Sequence, residues 1–479
     1  MTKGSGVFSK NNDALDAAID ATRSWLADLD NRPVNASQDV DQVAAGFPRD
    51  FPAQGLEPAA VVSELVRVAT PGLVATPSGR YFGWVRGGVL DAALAADWLT
   101  AAWDQNASLL VGSPAGAAAE RVAGDWILQA LGLPASAGVG FVTGGMMANF
   151  TCLAAARHRV FDAVGWNVER DGLIGAPRLQ VFVGKERHAT VDLALRYLGL
   201  GQSQARVIPA DEQGRIRPDL LEQELAEAEA EHPGAPRIVV LQAGNVHSGC
   251  FDSAEAVEIA HRYGAWVHVD GAFGLWAAAT PSLAHLTAGL EQADSWATDA
   301  HKTLNVPYDS GLALVRDASA LHAAMGERAD YLIQDHRPDP LATVPEFSRR
   351  ARGFTVLAAL RELGRDGLAE MVETFTRHAR RFAAELGAIN GVTILNDVVY
   401  TQVCVAFTSD EETHAVAAAL MAEGTTWMTP SRWHGRAVLR VSVSNARTTE
   451  GDVERSLAAI CDVLTRVRTS TSDRSHQAD

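Results

Sequence analysis

The chain has 479 residues, of which 47% are hydrophobic and 21% are charged, as in an ordinary globular protein built from two or three packed units. Its formal net charge of −17 argues against nucleic acid or an anionic membrane surface as a partner. No apolar stretch is long enough to span a membrane, and the start of the chain lacks an apolar signal segment. With four widely separated cysteines, these features predict a cytoplasmic protein without a disulfide framework or a metal site.

The first 91 residues have little core of their own. Helical periodicity covers Asn12 to Leu29 and Pro58 to Ala69, and the polar, Gly- and Pro-rich stretch between them is typical of an extended segment. We therefore expect residues 1–91 to wrap another surface, such as a partner subunit. The loop Arg80–Gly88 then brings Phe82, Trp84 and Arg86 together. It has two interpretations of equal weight, a loop with ordinary packing aromatics or the rim of a substrate pocket.

From Ala92 onward, helical stretches alternate with short apolar runs, which predicts a mostly parallel sheet covered by helices on both faces. Ligands in such sheets bind beyond the carboxyl ends of the strands, so residues just after each run are candidates for chemistry. The apolar runs are Val139–Val142, Leu179–Val183, Arg206–Ile208, Ile238–Gln242, Ala265–Val269 and Leu312–Val315.

Three features follow these runs. Gly144 and Gly145 open a helix after the first run, which suits a phosphate but is also common in a tight turn. His188 follows the second run and is either catalytic or a packed capping residue. Asp270 ends a buried run, where a carboxylate needs a partner; a protonated cofactor nitrogen would serve, although a capping role is common.

Lysine is rare, since the 41 Lys and Arg residues include only Lys3, Lys10, Lys185 and Lys302. An arginine guanidinium stays protonated, whereas a lysine amine can lose its proton and form a Schiff base. Lys302 lies in the Ser-, Trp-, Asp- and His-containing segment Asp294–Thr303, which favours amine chemistry over a surface lysine beside a turn. In this order, a Gly loop, a strand-end His, a strand-end Asp and a rare Lys match the layout of a pyridoxal phosphate (PLP) site.

The sequence resembles the group II PLP-dependent amino-acid decarboxylases, which include the aromatic-amino-acid and glutamate decarboxylases. The resemblance implies an α/β protein of fold type I that forms homodimers with shared active sites. It divides the chain into an N-terminal wrapping and dimerisation segment (1–91), a large PLP-binding domain with a mostly parallel seven-stranded sheet between helices (92–365), and a small α/β C-terminal domain (366–479). The matching segments are Thr143–Asn149, His188–Asp192, His268–Ala272, Asp299–Lys302, Ser348–Arg352 and Leu439–Asn445.

The resemblance also implies roles for individual residues. Lys302 would be the Schiff-base lysine, and Asp270 would keep the pyridine nitrogen protonated. His188 would stack on one ring face, opposite Ala272, and help to orient the substrate carboxylate. The phosphate would be lined by Gly144, Gly145, Met146 and His301.

Two departures from the family pattern concern Asp299 and Gln334–Pro345. Asp299 stands where an Asn often contacts the phosphate. Gln334–Pro345 corresponds to a mobile catalytic loop in which many members carry a proton-donating Tyr. Here Tyr331 lies just outside it, so we expect His336 to be the catalytic proton donor.

These features predict decarboxylation of an L-amino acid to an amine and carbon dioxide. The alternatives are decarboxylation coupled to oxidative deamination, which gives an aldehyde, transamination, or a binding protein that kept the fold. For the substrate, the aromatic rim favours an apolar side chain and Arg86 favours an acidic one.

Overall fold

The computed structural model describes residues 12–329, 332–334 and 337–476, with side chains up to residue 470. The chain divides into two compact units. The first unit takes the chain up to Tyr81 together with His414–Met428 and the chain from Arg447 onward, and the second takes Phe82–Thr413 with Thr429–Ala446. Within the described residues, no helix is both long and apolar enough to cross a membrane.

The helices of the described chain are α1 (Asp13–Ala27), α2 (Val40–Ala45), α3 (Pro58–Ala69), α4 (Asp91–Trp103), α5 (Pro114–Ala130), α6 (Gly145–Asp162), α7 (Val168–Asp171), α8 (Ala189–Tyr197), α9 (Pro218–Glu231), α10 (Ala254–Arg262), α11 (Ala318–Met325), α12 (Gly353–Gly387), α13 (Asp410–Glu423) and α14 (Glu450–His476). The strands are β1 (Tyr81–Phe82), β2 (Gly138–Val142), β3 (Gln180–Gly184), β4 (Arg206–Ile208), β5 (Arg237–Gln242), β6 (Trp266–Asp270), β7 (Ser295–Asp299), β8 (Gly311–Val315), β9 (Thr393–Ile394), β10 (Gln402–Ala406), β11 (Trp427–Trp433) and β12 (Arg436–Ser442).

The large sheet has seven strands in the order β2-β8-β7-β6-β5-β3-β4. The neighbours β7, β6, β5, β3 and β4 pair in parallel, and only β8 runs antiparallel to both of its neighbours. The predicted α/β class with a mostly parallel seven-stranded sheet is therefore confirmed. The strands are almost wholly buried, as is usual where helices cover both faces of a parallel sheet.

One strand of this sheet, β7, did not stand out as an apolar run. Its sequence is Ser-Trp-Ala-Thr-Asp, and all five residues are buried. Its polar side chains are tolerated because they make tertiary contacts: the Ser295 hydroxyl, for example, accepts a hydrogen bond from the Trp266 indole at 2.9 Å. Such contacts join residues far apart in sequence, so hydropathy alone does not reveal this strand.

The topology places four candidate residues at one edge of the sheet. β2, β3, β6 and β7 point the same way, so the segments after them, which carry Gly144, His188, Asp270 and Lys302, meet at their carboxyl ends. Beneath this edge, α6 packs a buried apolar face against the sheet, and its residues form a hydrophobic cluster with those of α8, β3 and β5. A buried helix packed on the sheet gives the Gly loop at its start a fixed position.

A separate small sheet has the order β1-β11-β12-β10-β9. β12 pairs antiparallel with both β11 and β10, and most of its residues come from the C-terminal region. Strands β9, β10 and β12 all lie beyond residue 365. The division of the chain at residues 91 and 365 stays a prediction.

The first unit is organised around Arg80, whose side chain is buried. Its guanidinium donates to the carbonyl oxygens of Leu29 and Arg32 at 3.2 and 3.0 Å and also to that of Thr425. One guanidinium thus donates hydrogen bonds to carbonyl oxygens of several loop segments. These oxygens are not paired within a helix or sheet, so they need such a donor. Next to it, the rings of Tyr81 and Trp427 stack with centroids 5.0 Å apart.

Candidate cofactor site

The Gly loop begins α6 and lies against the end of β7. A Cβ atom on Gly145 would come within 2.6 Å of Oδ2 of Asp299, so only glycine leaves the backbone free to approach that side chain. The first N–H groups of a helix have no partner within the helix, and they carry its positive dipole end. The start of the 18-residue α6, with Gly144 as its N-cap and Met146 in its first turn, therefore offers backbone donors to an anion.

Lys302 follows β7, and its amine contacts the same carboxylate, that of Asp299. Its Nζ lies 2.7 Å from Oδ2 of Asp299, a carboxylate whose side chain is only 2% exposed. Burial alone would lower the pKa of Lys302, but the charge and hydrogen bond of Asp299 outweigh it, so the pKa is raised. The amine is consequently protonated and oriented by Asp299. The other oxygen of Asp299, Oδ1, has no hydrogen-bond partner among the described residues.

His301 directly precedes Lys302, and its ring packs against Tyr308. Its Nδ1 accepts a hydrogen bond from the Ser310 N–H at 3.3 Å, so the neutral ring carries its proton on Nε2, which lies 3.5 Å from Oδ1 of Asp299. Burial lowers the pKa of His301, in keeping with a neutral ring. The Tyr308 ring stacks on His301 with centroids 4.1 Å apart.

Arg86 contacts the same Tyr308. Its Nε donates to the Tyr308 hydroxyl at 3.2 Å, and its guanidinium carbon lies 4.8 Å from the centre of the Tyr308 ring. The following Gly87 N–H donates to the His301 carbonyl, and a Cβ at Gly87 would lie 2.0 Å from the Lys302 carbonyl oxygen. Because the backbone at Gly87 approaches that of Lys302 so closely, the half-buried Arg86 lies near Lys302.

The carboxylate of Asp270 is held at the end of β6. Its Oδ2 accepts a hydrogen bond from the Asn149 amide at 3.0 Å, and its Oδ1 accepts one from the Ala272 N–H at 3.2 Å. The two donors fix the position of the carboxylate, whose side chain is almost completely buried. Sequence reasoning noted Asn149 only as the end of a motif and missed this contact, because it joins residues 121 positions apart.

His188 is the N-cap of α8, and its ring is accessible to solvent. Its Nδ1 accepts a hydrogen bond from the Thr190 N–H at 3.3 Å, so the neutral ring has its proton on Nε2. The pKa of His188 is lowered, first by desolvation among surrounding protein atoms, and further by the positive charges of Lys302 and Arg440, although Asp270 opposes this. The neutral ring thus presents an N–H donor.

Arg440 on β12 is a site residue that the sequence analysis did not single out. It is 6% exposed, and within the described residues no hydrogen-bond partner lies near its Nε. Burial lowers its pKa, and its charge acts on both His188 and His247, so it lies near the predicted cofactor residues. Among the described residues Arg440 has no carboxylate partner, and a buried charge needs one, so Arg440 is a candidate to bind an anionic ligand. The available signal was an arginine inside an otherwise apolar strand.

The remaining predicted residues are placed as follows. Phe82 is fully buried and packs edge-on against Phe382 with ring centroids 5.0 Å apart, so it belongs to the core. Trp84 is 56% exposed, and its backbone has a positive φ of 52°. Its N–H donates to the Thr429 hydroxyl at 2.9 Å. His336 and Tyr331 lie outside the described residues.

These residues fit PLP. The amine of Lys302 suits the aldehyde, the carboxylate of Asp270 suits a protonated pyridine nitrogen, and the start of α6 suits the phosphate. A Cβ atom at residue 145 would clash with Asp299, so this position takes glycine. Without a side chain there, the backbone N–H groups of the loop stay uncovered.

Comparisons with known proteins agree with this chemistry. Residues 41–408 match the family model described as the pyridoxal-dependent decarboxylase conserved domain. Human cysteine sulfinic acid decarboxylase is 29% identical over 271 residues, which are 55% of this chain and 54% of that protein, so the chain spans about half the length of this relative. The aromatic-L-amino-acid decarboxylase of Bacillus atrophaeus is 26% identical over 456 residues, covering 90% of this chain and 91% of that protein.

Among solved structures, TDC from Oryza sativa with PLP and tryptamine has a TM-score of 0.89, with 96% of this chain and 99% of that chain covered. Its sequence identity is 23%, so this similarity shows the shared fold. The family model, in contrast, spans most of the chain and includes Gly144, His188, Asp270 and Lys302. The chain belongs to the pyridoxal-dependent decarboxylase family.

Proposed function

We propose that this protein is a PLP-dependent carboxy-lyase that removes the α-carboxylate of an L-amino acid and releases an amine and carbon dioxide. The observation that carries the proposal is the meeting of Lys302, Asp270 and the start of α6 at one edge of the large sheet. A lysine held by a buried carboxylate beside a helix N-terminus has little structural value of its own, since burying charged groups costs free energy.

Bound PLP supplies an electron sink for the pair left behind when carbon dioxide departs. The chain's part is to bind and orient. The carboxylate of Asp270, which two hydrogen-bond donors hold in place, would pair with a protonated pyridine nitrogen. The backbone N–H groups of Gly145 and Met146 at the start of α6 would bind the phosphate, and Lys302 would supply the amine for covalent attachment.

His188 and Arg440 are suited to the substrate carboxylate. The neutral His188 ring carries its proton on Nε2 and can donate it to a carboxylate oxygen. Arg440 adds a positive charge near the same ring. A carboxylate held between a neutral donor and a cation is oriented without being protonated, which is what loss of carbon dioxide requires.

The substrate side chain is proposed to be acidic. Arg86 lies near Lys302 and donates from Nε to Tyr308, and among the described residues its terminal guanidinium nitrogens have no hydrogen-bond partner, so they can bind a ligand. A relative such as cysteine sulfinic acid decarboxylase acts, by its name, on an amino acid with an anionic side chain. The aromatic-L-amino-acid decarboxylase supports the alternative, an aromatic substrate against Trp84.

The amine is the proposed product, with His336 as the donor of the proton to Cα. The alternative product is an aldehyde, formed if oxygen reaches the site before that proton does, and it is kept because Gln334–Pro345 contains no Tyr. Transamination would need the proton to move elsewhere on the cofactor, and no contact in the site favours it.

A homodimer with shared active sites is also part of the proposal, as is a cytoplasmic location. The first unit exposes large apolar side chains that a partner subunit would cover. Phe51 is 99% exposed, Leu56 61% and Leu65 54%.

A panel of carboxyl-labelled L-amino acids tests the proposal. The PLP-loaded protein is incubated with aspartate, glutamate, cysteine sulfinate, tyrosine and tryptophan, and carbon dioxide, amine, aldehyde and peroxide are measured. The matched control is Lys302→Ala. We expect carbon dioxide and amine in equal amounts from an acidic substrate and neither from the control. Consumption of an amino acid without carbon dioxide would contradict the proposal, and aldehyde with peroxide would establish the alternative.

A further inference from the structure

A chain of buried side chains runs from the interior of the large sheet to Asp270. The Trp266 indole N–H donates to the Ser295 hydroxyl at 2.9 Å, and that hydroxyl lies 2.9 Å from Nδ1 of His268. Nε2 of His268 lies 2.9 Å from Oδ1 of Asn149, whose amide nitrogen donates to Asp270 at 3.0 Å. We call these five residues the relay. Ser295, His268 and Asn149 have no exposed surface at all.

The carboxylate of Asp270 sets the direction of the relay from one end. An ionised carboxylate only accepts hydrogen bonds, so Asn149 must turn its NH₂ group toward Asp270 and its oxygen toward His268. That oxygen can only accept, so His268 must carry a proton on Nε2. Burial lowers the pKa of His268 to about 4, so the ring is neutral and its Nδ1 is an acceptor. The Ser295 hydroxyl must then donate to Nδ1.

The indole of Trp266 sets the same direction from the other end. An indole N–H is only a donor, so Ser295 accepts from it and keeps its own proton for His268. Both ends therefore give one arrangement in which every donor meets an acceptor. The strand register makes this possible, because Ser295 on β7 lies directly beside His268 on β6.

A branch of the relay reaches His188. The second N–H of the Asn149 amide donates to the Thr190 hydroxyl at 3.3 Å, and that hydroxyl lies 2.8 Å from Nδ1 of His188. Because Thr190 accepts from Asn149, its own proton is free for His188. This contact supports the neutral ring with its proton on Nε2, so one amide touches the networks of both Asp270 and His188.

We infer that Asn149 is a positioning residue that fixes the Asp270 carboxylate and the Nε2–H form of His188 together, with its own orientation set through His268 and Ser295. The inference rests on the proposed function, since it assigns these residues a role toward bound PLP. It goes further by naming four side chains that determine how Asp270 is held and where His188 carries its proton. They are Asn149, Thr190, His268 and Ser295.

The test uses Ser295→Ala and Asn149→Leu in the full-length protein. Ser295→Ala changes neither Asp270 nor His188, but it removes the hydroxyl that donates to Nδ1 of His268. Thr151→Val is the matched control, because Thr151 is also buried on α6 and its hydroxyl donates to the Met147 carbonyl of the same helix. PLP affinity is measured by equilibrium dialysis, together with the pH dependence of the visible absorbance of the bound cofactor.

Loss of one hydrogen bond to a charged group predicts about 10- to 100-fold weaker PLP binding for Asn149→Leu, and loss of a neutral one about 2- to 10-fold for Ser295→Ala. Both variants should shift the pH profile of the absorbance, and Thr151→Val should not. In an Asp270→Asn background, the Ser295→Ala change should lose its effect, since the relay then ends on a neutral amide.

Equal losses for Ser295→Ala in both backgrounds would assign Ser295 a purely structural role and overturn the inference. A wild-type pH profile and affinity in Ser295→Ala would overturn it as well, and this variant stays informative if Asn149→Leu fails to fold. Failure of the wild type itself to bind PLP would instead contradict the proposed function.

Discussion

Lys302 and Asp299 form an ion pair, with Nζ 2.7 Å from Oδ2, at the place where the cofactor aldehyde must be attacked. A protonated amine is not a nucleophile, so Asp299 orients Lys302 and also restrains its reactivity. Because the pKa of Lys302 is raised, the neutral fraction of the amine is small at neutral pH and grows as the pH rises toward that pKa. This relationship leads to the first prediction.

The rate at which the protein captures PLP covalently should increase with pH across the neutral and alkaline range. Asp299→Asn removes the charge that raises the pKa of Lys302, so this variant should capture PLP faster at neutral pH, with its pH profile moved to lower pH. Stopped-flow absorbance after mixing PLP with the unloaded protein measures the rate. Identical profiles for the two proteins would show that the ion pair does not control the reactivity of Lys302.

Asp270→Asn should reduce turnover strongly, because a neutral amide no longer stabilises a protonated pyridine nitrogen. Loss of one preorganised charge-assisted interaction costs about 10²- to 10³-fold in rate. Steady-state kinetics with thermal unfolding as a folding control measures the effect. Near-normal turnover in a folded variant would leave Asp270 only a capping role at the end of β6.

Arg86→Leu should lower kcat/KM for acidic substrates by about 10²-fold, since a charge-assisted contact to the side chain would be lost. Aromatic substrates should be affected far less. Tyr308→Phe removes only the oxygen that accepts from Arg86 and should have a smaller effect of the same kind. Arg432→Leu is the control, because Arg432 lies on β11 of the small sheet, is 58% exposed and pairs with Asp410 at the start of α13. Equal losses on both substrate classes would refute a role in selectivity.

His336→Phe should slow formation of the amine, because a general acid must lie within hydrogen-bonding reach of Cα. The carbanion would then persist and react with oxygen, so the ratio of aldehyde plus peroxide to amine should rise. Tyr331→Phe, five positions earlier, is the matched control. Product analysis by chromatography decides: an unchanged ratio and rate in His336→Phe would place the proton donor elsewhere.

The arrangement of the site was largely predictable where it depends on strands and their ends. Apolar runs located β2, β3 and β6, and the rule that parallel strands end at one edge brought Gly144, His188 and Asp270 together. The rarity of lysine pointed to Lys302. These signals are local, so one sequence is sufficient to detect them.

The parts that escaped prediction depend on contacts between distant residues. Asn149 matters because its amide lies between Asp270 and His268, and β7 is a strand although Ser295 and Thr298 are polar. Arg440 resembles any strand arginine until its burial without a hydrogen bond to Nε is seen. In each case the deciding property is a tertiary hydrogen bond, or the lack of one, which no periodicity encodes.

The central claim is that the site around Lys302 holds PLP covalently, and borohydride trapping tests it most directly. The PLP-loaded protein is reduced, digested and mapped by mass spectrometry, which the presence of only four lysines makes unambiguous. We expect the reduced pyridoxyl adduct on Lys302 alone, and a visible absorbance band that disappears in a folded Lys302→Ala variant. An adduct on Lys185, or a band that survives Lys302→Ala, would contradict the account.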